Sequence, residues 1–205
     1  MLTIAMPPLQ ARRQIPTRLS GFAMIEVMVA LVVLLFGLLG LAGVSSRANL
    51  AEMESYQRVQ ALLLLQDMAD RLNANRKVAS CYSNNATGVQ VGTGSTSLPT
   101  CAVGTALQQA QAVADLAAWD GMLKGQSEQV AGARRGAMIG AVGCVLQSDA
   151  AANVYMVAVA WQGLQPTFAP KLADGATAFP CGDGAFGDER LHRVVTTKVR
   201  IGALS

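Results

Sequence analysis

Gly21-Phe22-Ala23-Met24-Ile25-Glu26-Val27-Met28-Val29-Ala30-Leu31 is the stretch whose reading decides the fold. A glycine stands between a basic leader and a long apolar run. An aromatic residue follows the glycine directly, and one carboxylate, Glu26, interrupts the hydrocarbon. From Val27 to Val44 there are 18 residues without a charge, and the next charge is Arg47. A run of that length suffices to cross a bilayer core as a helix. Glu26 lies towards one end, where an acid costs less than the roughly 2.5–3.5 kcal/mol of a central position. It still needs a partner, because a carboxylate in hydrocarbon either protonates or pairs.

Two plainer readings share part of this pattern. A secretory signal peptide would be cut near Val44-Ser45-Ser46. Such peptides have an apolar core of about 7–15 residues; this run is longer and carries an acid. A signal anchor on an unrelated exported domain gives the same topology but leaves Gly21-Phe22 and Glu26 as coincidences.

Outward from this stretch, the charge balance changes meaning. The chain has 205 residues and a net charge of +3. Arg12, Arg13 and Arg18 all precede Gly21, and no acid does. Without that leader, 13 basic residues face 13 acidic ones. The excess therefore points to a cytoplasmic leader, not to phosphate binding. Pro7, Pro8 and Pro16 oppose a stable helix there.

The helical pattern continues past the apolar run. Leu50, Met53, Leu64, Met68 and Leu72 mark an apolar face at helical spacing. Glu54–Arg58 and Asp67–Arg71 are i,i+4 pairs in the favourable order. A stop is expected near Asn75. Gly37, Gly40 and Gly43 recur every three residues inside this helix. Each costs up to about 1 kcal/mol relative to alanine, which close helix packing in a membrane would explain.

Beyond the helix, 77–104 reads as a loop rich in turn formers, with Asn85-Ala86-Thr87 as a glycosylation triplet. A second helix is expected from Thr105 to Trp119, ended by Gly121. Ala137–Gln147, Asn153–Trp161 and Leu191–Ile201 read as antiparallel strands. Tyr155, Val157, Val159 and Trp161 share one face, as do Val195, Thr197, Val199 and Ile201, opposite Lys198 and Arg200. The fold class is α+β: a long N-terminal helix on a small antiparallel sheet.

Cys81, Cys101, Cys144 and Cys181 all follow the membrane segment, and an even count on the oxidising side reads as two disulfides. Three pairings are open. Cys81–Cys101 and Cys144–Cys181 are expected, because each pair brackets a Gly/Pro-rich segment with little core of its own. No CxxC pair exists and His192 is the single histidine, so neither a metal nor a cofactor is implied. Gly182-Asp183-Gly184-Ala185-Phe186-Gly187 spells GxGxxG, but a strand-like segment follows it where a dinucleotide site needs a helix. Asp174, Asp183, Asp188 and Glu189 lack EF-hand spacing and read as a solvated turn. No serine–histidine–acid cluster suggests catalysis. Trp119 and Trp161 read as core residues.

The glycine, aromatic, acid and apolar run together resemble the class III signal of type IV prepilins. That resemblance implies cleavage between Gly21 and Phe22 by a prepilin peptidase and N-methylation of Phe22. Glu26 then becomes the fifth residue of the mature chain and acts in assembly. It also implies that the helix loosens near Gly37, Gly40 and Gly43 on assembly, where major pilins often carry a proline that this chain lacks. Implied divisions are a leader at 1–21, a transmembrane half-helix at 22–46, a periplasmic half-helix at 47–76 and a head at 77–205.

Arg71-Leu72-Asn73-Ala74-Asn75-Arg76 and the Tyr155–Trp161 strand, with the four cysteines, look similar to minor pilins of the type IV pilus modification family. The implied partners are other minor and major pilins, the inner-membrane assembly platform and, before assembly, membrane lipid. The implied location is the inner membrane with a periplasmic head, then the extracellular pilus. Two alternatives share these features. One is a pseudopilin of a type II secretion system. The other is a DNA- or surface-binding tip module using Arg134, Arg135, Lys198 and Arg200, against which the neutral mature chain argues.

Overall fold

The structure, a computed structural model, describes residues 23–83, 88–126, 129–130, 133–134 and 138–202, with the backbone alone at 129–130 and 133–134. Two compact units meet at Ser46 and Arg47. One helix, α1, runs from Met24 to Ala74. In the first unit every described residue, 23–46, is exposed. Its helical residues rise about 34 Å at 1.5 Å each, enough for the roughly 30 Å of a bilayer core. The helix is long and apolar enough to cross a membrane.

The second unit buries the expected stripe of α1, but only from Gln57 onward. Gln57, Ala61, Leu65, Met68, Ala69 and Leu72 point into the core. Met68 and Leu72 are core residues as expected, but Met53 is 56% exposed and Leu50 is only half-buried. Leu62 to Leu65 are four leucines in a row, so apolar identity there does not reveal which side the sheet occupies. Asp67 pairs with Arg71 at 2.7 Å. Glu54 turns instead towards Arg193, at 3.3 Å.

After α1 come a single 3-10 turn (Arg76–Val78), a short helix α2 (Ala79–Ser83) and strand β1 (Val89–Gly92). Helix α3 (Ala106–Leu123) follows, then a two-residue hairpin pair, β2 (Gln129–Val130) and β3 (Ala133–Arg134). Three long strands complete the order: β4 (Ile139–Asp149), β5 (Val154–Gln162) and β6 (His192–Arg200). The main sheet is β1-β4-β5-β6, antiparallel throughout. The expectation of an unbroken loop over 77–104 is corrected: it holds α2 and the edge strand β1, too short for a periodic signal.

Helix α3 begins and ends on side-chain and backbone caps. Thr105 and Gln108 form a reciprocal capping box. At the other end Gln126 N–H donates to Gly121 O and Gly125 N–H to Met122 O, a Schellman closure around Gly125 at φ +75°. The helix therefore does not stop at Gly121, which is helical and supplies the closing carbonyl.

Both faces of β4 and β5 are buried, with successive residues pointing to opposite sides. Val145, Val157 and Val159 pack with Ala61, Met68, Leu72, Leu116 and Trp119 of the helices. Val142, Cys144, Ala158 and Ala160 pack with Phe179, Cys181 and Phe186 from the β5–β6 connection. The helix–sheet approach depends on Gly143. A Cβ there would lie within 3.0 Å of the Trp119 ring and of Leu123 Cδ1. Gly143→Ala should cost about 1–3 kcal/mol, the usual range for overpacking. Denaturant unfolding followed by tryptophan fluorescence checks this, and an unchanged midpoint would show that α3 can simply shift.

Candidate functional site

The expected processing residues Gly21 and Phe22 lie outside the described residues. Glu26 occupies the first turn of α1, exposed, its N–H donating to Ala23 O at 2.9 Å. A carboxylate there is favoured by the helix dipole. The helix runs unbroken through Gly37, Gly40 and Gly43, and a Cβ at any of them meets no other part of this chain within 4 Å. This half of α1 therefore presents a continuous apolar cylinder with one acid at its start.

In the second unit two polar networks fix α1. The first centres on Asp115 of α3, which is 4% exposed. Its Oδ1 accepts from Arg71 Nη1 at 3.0 Å and Gln111 Nε2 at 2.9 Å, and its Oδ2 from the Tyr82 hydroxyl at 2.5 Å. Burial, reinforced by the Asp115 bond, pushes the Tyr82 phenol well above its ordinary range. Arg71 is held more firmly protonated, chiefly by its hydrogen bond to Asp67. Asn75 Nδ2 donates to Gln108 O and Trp119 Nε1 to Leu64 O, both at 2.9 Å. Nothing in the sequence pattern flagged Asp115; it looks like any polar residue in an Ala-rich helix.

The second network centres on Glu54. Its Oε1 accepts from the backbone of Leu164 at 3.0 Å and Gln165 at 3.2 Å, and from Arg193 Nη2 at 3.3 Å. A 320 Å³ cleft opens beside it, lined by Ser55, Arg58, Trp161 and Arg193 among others.

Two disulfides hold the connections. Cys81 of α2 is joined to Cys101 ahead of α3, and Cys144 of β4 to Cys181 of the β5–β6 connection. The glycine-rich stretch 182–187 is a turn whose Phe186 ring lies 5.0 Å from the His192 ring. Glu189 accepts from Gly184 N at 2.8 Å and lies 2.8 Å from His192 Nδ1. Asp188 binds Arg190 and Asp174 caps its own turn, so these acids serve the loop. Among the described residues no cluster of histidine, cysteine and acid could hold a metal ion. Lys198 and Arg200 are exposed on one face of β6. Arg135 and Asn85-Ala86-Thr87 lie outside the described residues, as does the side chain of Arg134.

Compared with known protein families, residues 44–122 match the family described as Tt1218-like, type IV pilin Tt1218. The match runs from within α1 to the end of α3, and leaves β4 to β6 outside it. No curated protein and no solved structure matches the chain.

Proposed function

We propose, from the premise that this chain is a type IV pilin-like protein, that it is a minor subunit of a bacterial type IV pilus. It would act at initiation of assembly or in a tip complex. The observation that carries this reading is the exposed apolar half of α1, with Glu26 in its first turn and Gly21-Phe22 just ahead. A head with its own core needs no such helix for stability; a subunit that leaves lipid for a bundle of helices does.

On this reading a prepilin peptidase cuts between Gly21 and Phe22, and the new amine of Phe22 is methylated. The protein first sits in the inner membrane with its head in the periplasm. It then joins other minor and major pilins at the assembly platform and becomes extracellular. Gly37, Gly40 and Gly43 let α1 loosen in the filament, less sharply than a proline would. The disulfide-stapled head contributes recognition, not catalysis.

The mature N-terminus tests the reading. Intact mass and N-terminal sequencing of the purified membrane form should give a chain starting at methylated Phe22. A start near Ser46 would make the apolar run a removed secretory signal and end the pilus reading.

A further inference from the structure

Phe168 is 96% exposed, more than any other large apolar side chain among those described. The backbone that leads to it is pinned. Gly163 N–H donates to Leu191 O at 2.8 Å and Thr167 N–H to Arg190 O at 2.7 Å. Between them, the N–H groups of Leu164 and Gln165 donate to Glu54 Oε1, and Arg193 Nη2 donates to Gln165 O. Pro166 and Pro170 flank the ring. It is therefore held out in water by ordered backbone, and docking it costs little further entropy.

The place of this ring follows from the course of β5 along α1. Trp119 Nε1 donates to Leu64 O, and the Trp119 ring packs on Gly143, whose partner in β5 is Val159. Two residues later, Trp161 shares its cleft with Ala51 and Arg58. Three residues beyond that, Leu164 reaches Glu54. Strand β5 thus runs down α1 towards the point where the helix enters the second unit at Arg47. Glu54 is seven residues past Arg47, about 10 Å along the axis. The connection that carries Phe168 leaves the sheet at this entry end. Arg47 itself follows the uncharged run by three residues, so the entry end is tethered against any bilayer which that run crosses.

The charges at this end suit a lipid surface. Glu54 is taken up by Leu164, Gln165 and Arg193, which leaves Arg58 without it. Among the described residues Arg47 and Arg58 are exposed and form no ion pair, against one exposed acid in the same state, Glu52. Segments that lie on membranes combine the same two elements, an aromatic ring at the headgroup–acyl boundary and cations facing lipid phosphate.

We propose that the Phe168 ring inserts into the headgroup–acyl boundary of the bilayer that α1 crosses, seating the entry end of the second unit on the membrane surface before assembly. This contact rests on the apolar run lying in a bilayer, as the proposed function holds, and adds to it a peripheral contact made by the head itself.

The test uses the full chain reconstituted into phosphatidylcholine–phosphatidylglycerol vesicles, with acyl chains either plain or brominated close to the headgroup. Phe168→Trp places a reporter at a position too exposed to matter for folding, and the emission of Trp119 and Trp161 is subtracted with the wild type. Leu107→Trp is the control. Leu107 is 80% exposed at the start of α3, where Asn75 Nδ2 donates to Gln108 O at the far end of α1. Brominated chains should remove about half or more of the emission that Phe168→Trp adds, and about a tenth or less of that added by Leu107→Trp. Equal quenching at both positions, or at neither, in chains that co-float with the vesicles would overturn the proposal and leave the membrane anchor standing. Chains that fail to co-float would overturn the anchor, and the proposal with it.

Discussion

Asp115→Ala is expected to destabilise the second unit by about 3 kcal/mol, between the cost of an orphaned buried hydroxyl and that of a broken buried ion pair. The Tyr82 hydroxyl, fully buried, loses its acceptor. Arg71 loses one of two carboxylates but keeps Asp67 and remains partly solvated, which sets the upper bound. At about 2–4 °C per kcal/mol for a chain of this size, the midpoint should fall by about 6–12 °C. Near-ultraviolet circular dichroism or tryptophan emission is the right probe, since Trp119 and Trp161 are both in the head core. Helical ellipticity would be dominated by α1. A fall of less than about 2 °C would mean that water replaces the carboxylate.

The pH dependence has a definite sign. The Tyr82 phenol is raised above its ordinary value near 10 in the folded state. Its contribution is complete below that value and is lost as pH climbs through the raised one. Alkaline unfolding of the wild type should therefore be steeper than that of Tyr82→Phe.

Glu26→Gln is expected to reduce incorporation into sheared pili about tenfold or more, while cleavage, membrane insertion and the disulfide-bonded head stay intact. The motive is charge. From Leu19 to Ser46 no side chain is positive, so Glu26 has no partner along the apolar run before processing. Cleavage after Gly21 would create an amine four residues away, on the same chain or presented by a neighbour. An unpaired buried charge costs several kcal/mol, whereas a well-matched pair comes near break-even. The pair then sets registration more than stability. Quantitative immunoblotting of sheared pili against membranes measures the ratio. Wild-type incorporation of the glutamine variant would remove the registration role and leave Glu26 at most a processing determinant.

The long elements were legible in the sequence because each repeats its period many times. Tyr155, Val157, Val159 and Trp161 alternate over a whole strand, and all four are buried together against the helices. Strand β1 has only Val89 to Gly92, no more than two repeats, and its identity comes from pairing with β4. The buried face of α1 was half hidden because Leu62, Leu63, Leu64 and Leu65 look alike until the sheet selects among them. The role of Asp115 and the actual partner of Glu54, read as paired with Arg58, were invisible for another reason. Their partners Tyr82 and Arg193 are 33 and 139 residues away, and no local spacing announces such a meeting. Gly21, Phe22 and Glu26 are the reverse case. Their signal is entirely local, so the expectation placed on them rests on a short motif and on no tertiary contact.

Glu54 and Arg71 fasten α1 to the rest of its unit at points about 26 Å apart along the helix axis. No glycine or proline lies between them, so the helix has no hinge there. A pull along α1 therefore loads both clamps together, in shear, instead of peeling one and then the other. Gly37, Gly40 and Gly43 all lie ahead of the first clamp, so the helix between the clamps contains none of them. Mechanically, the helix between Glu54 and Arg71 is a handle gripped at both ends by its own unit.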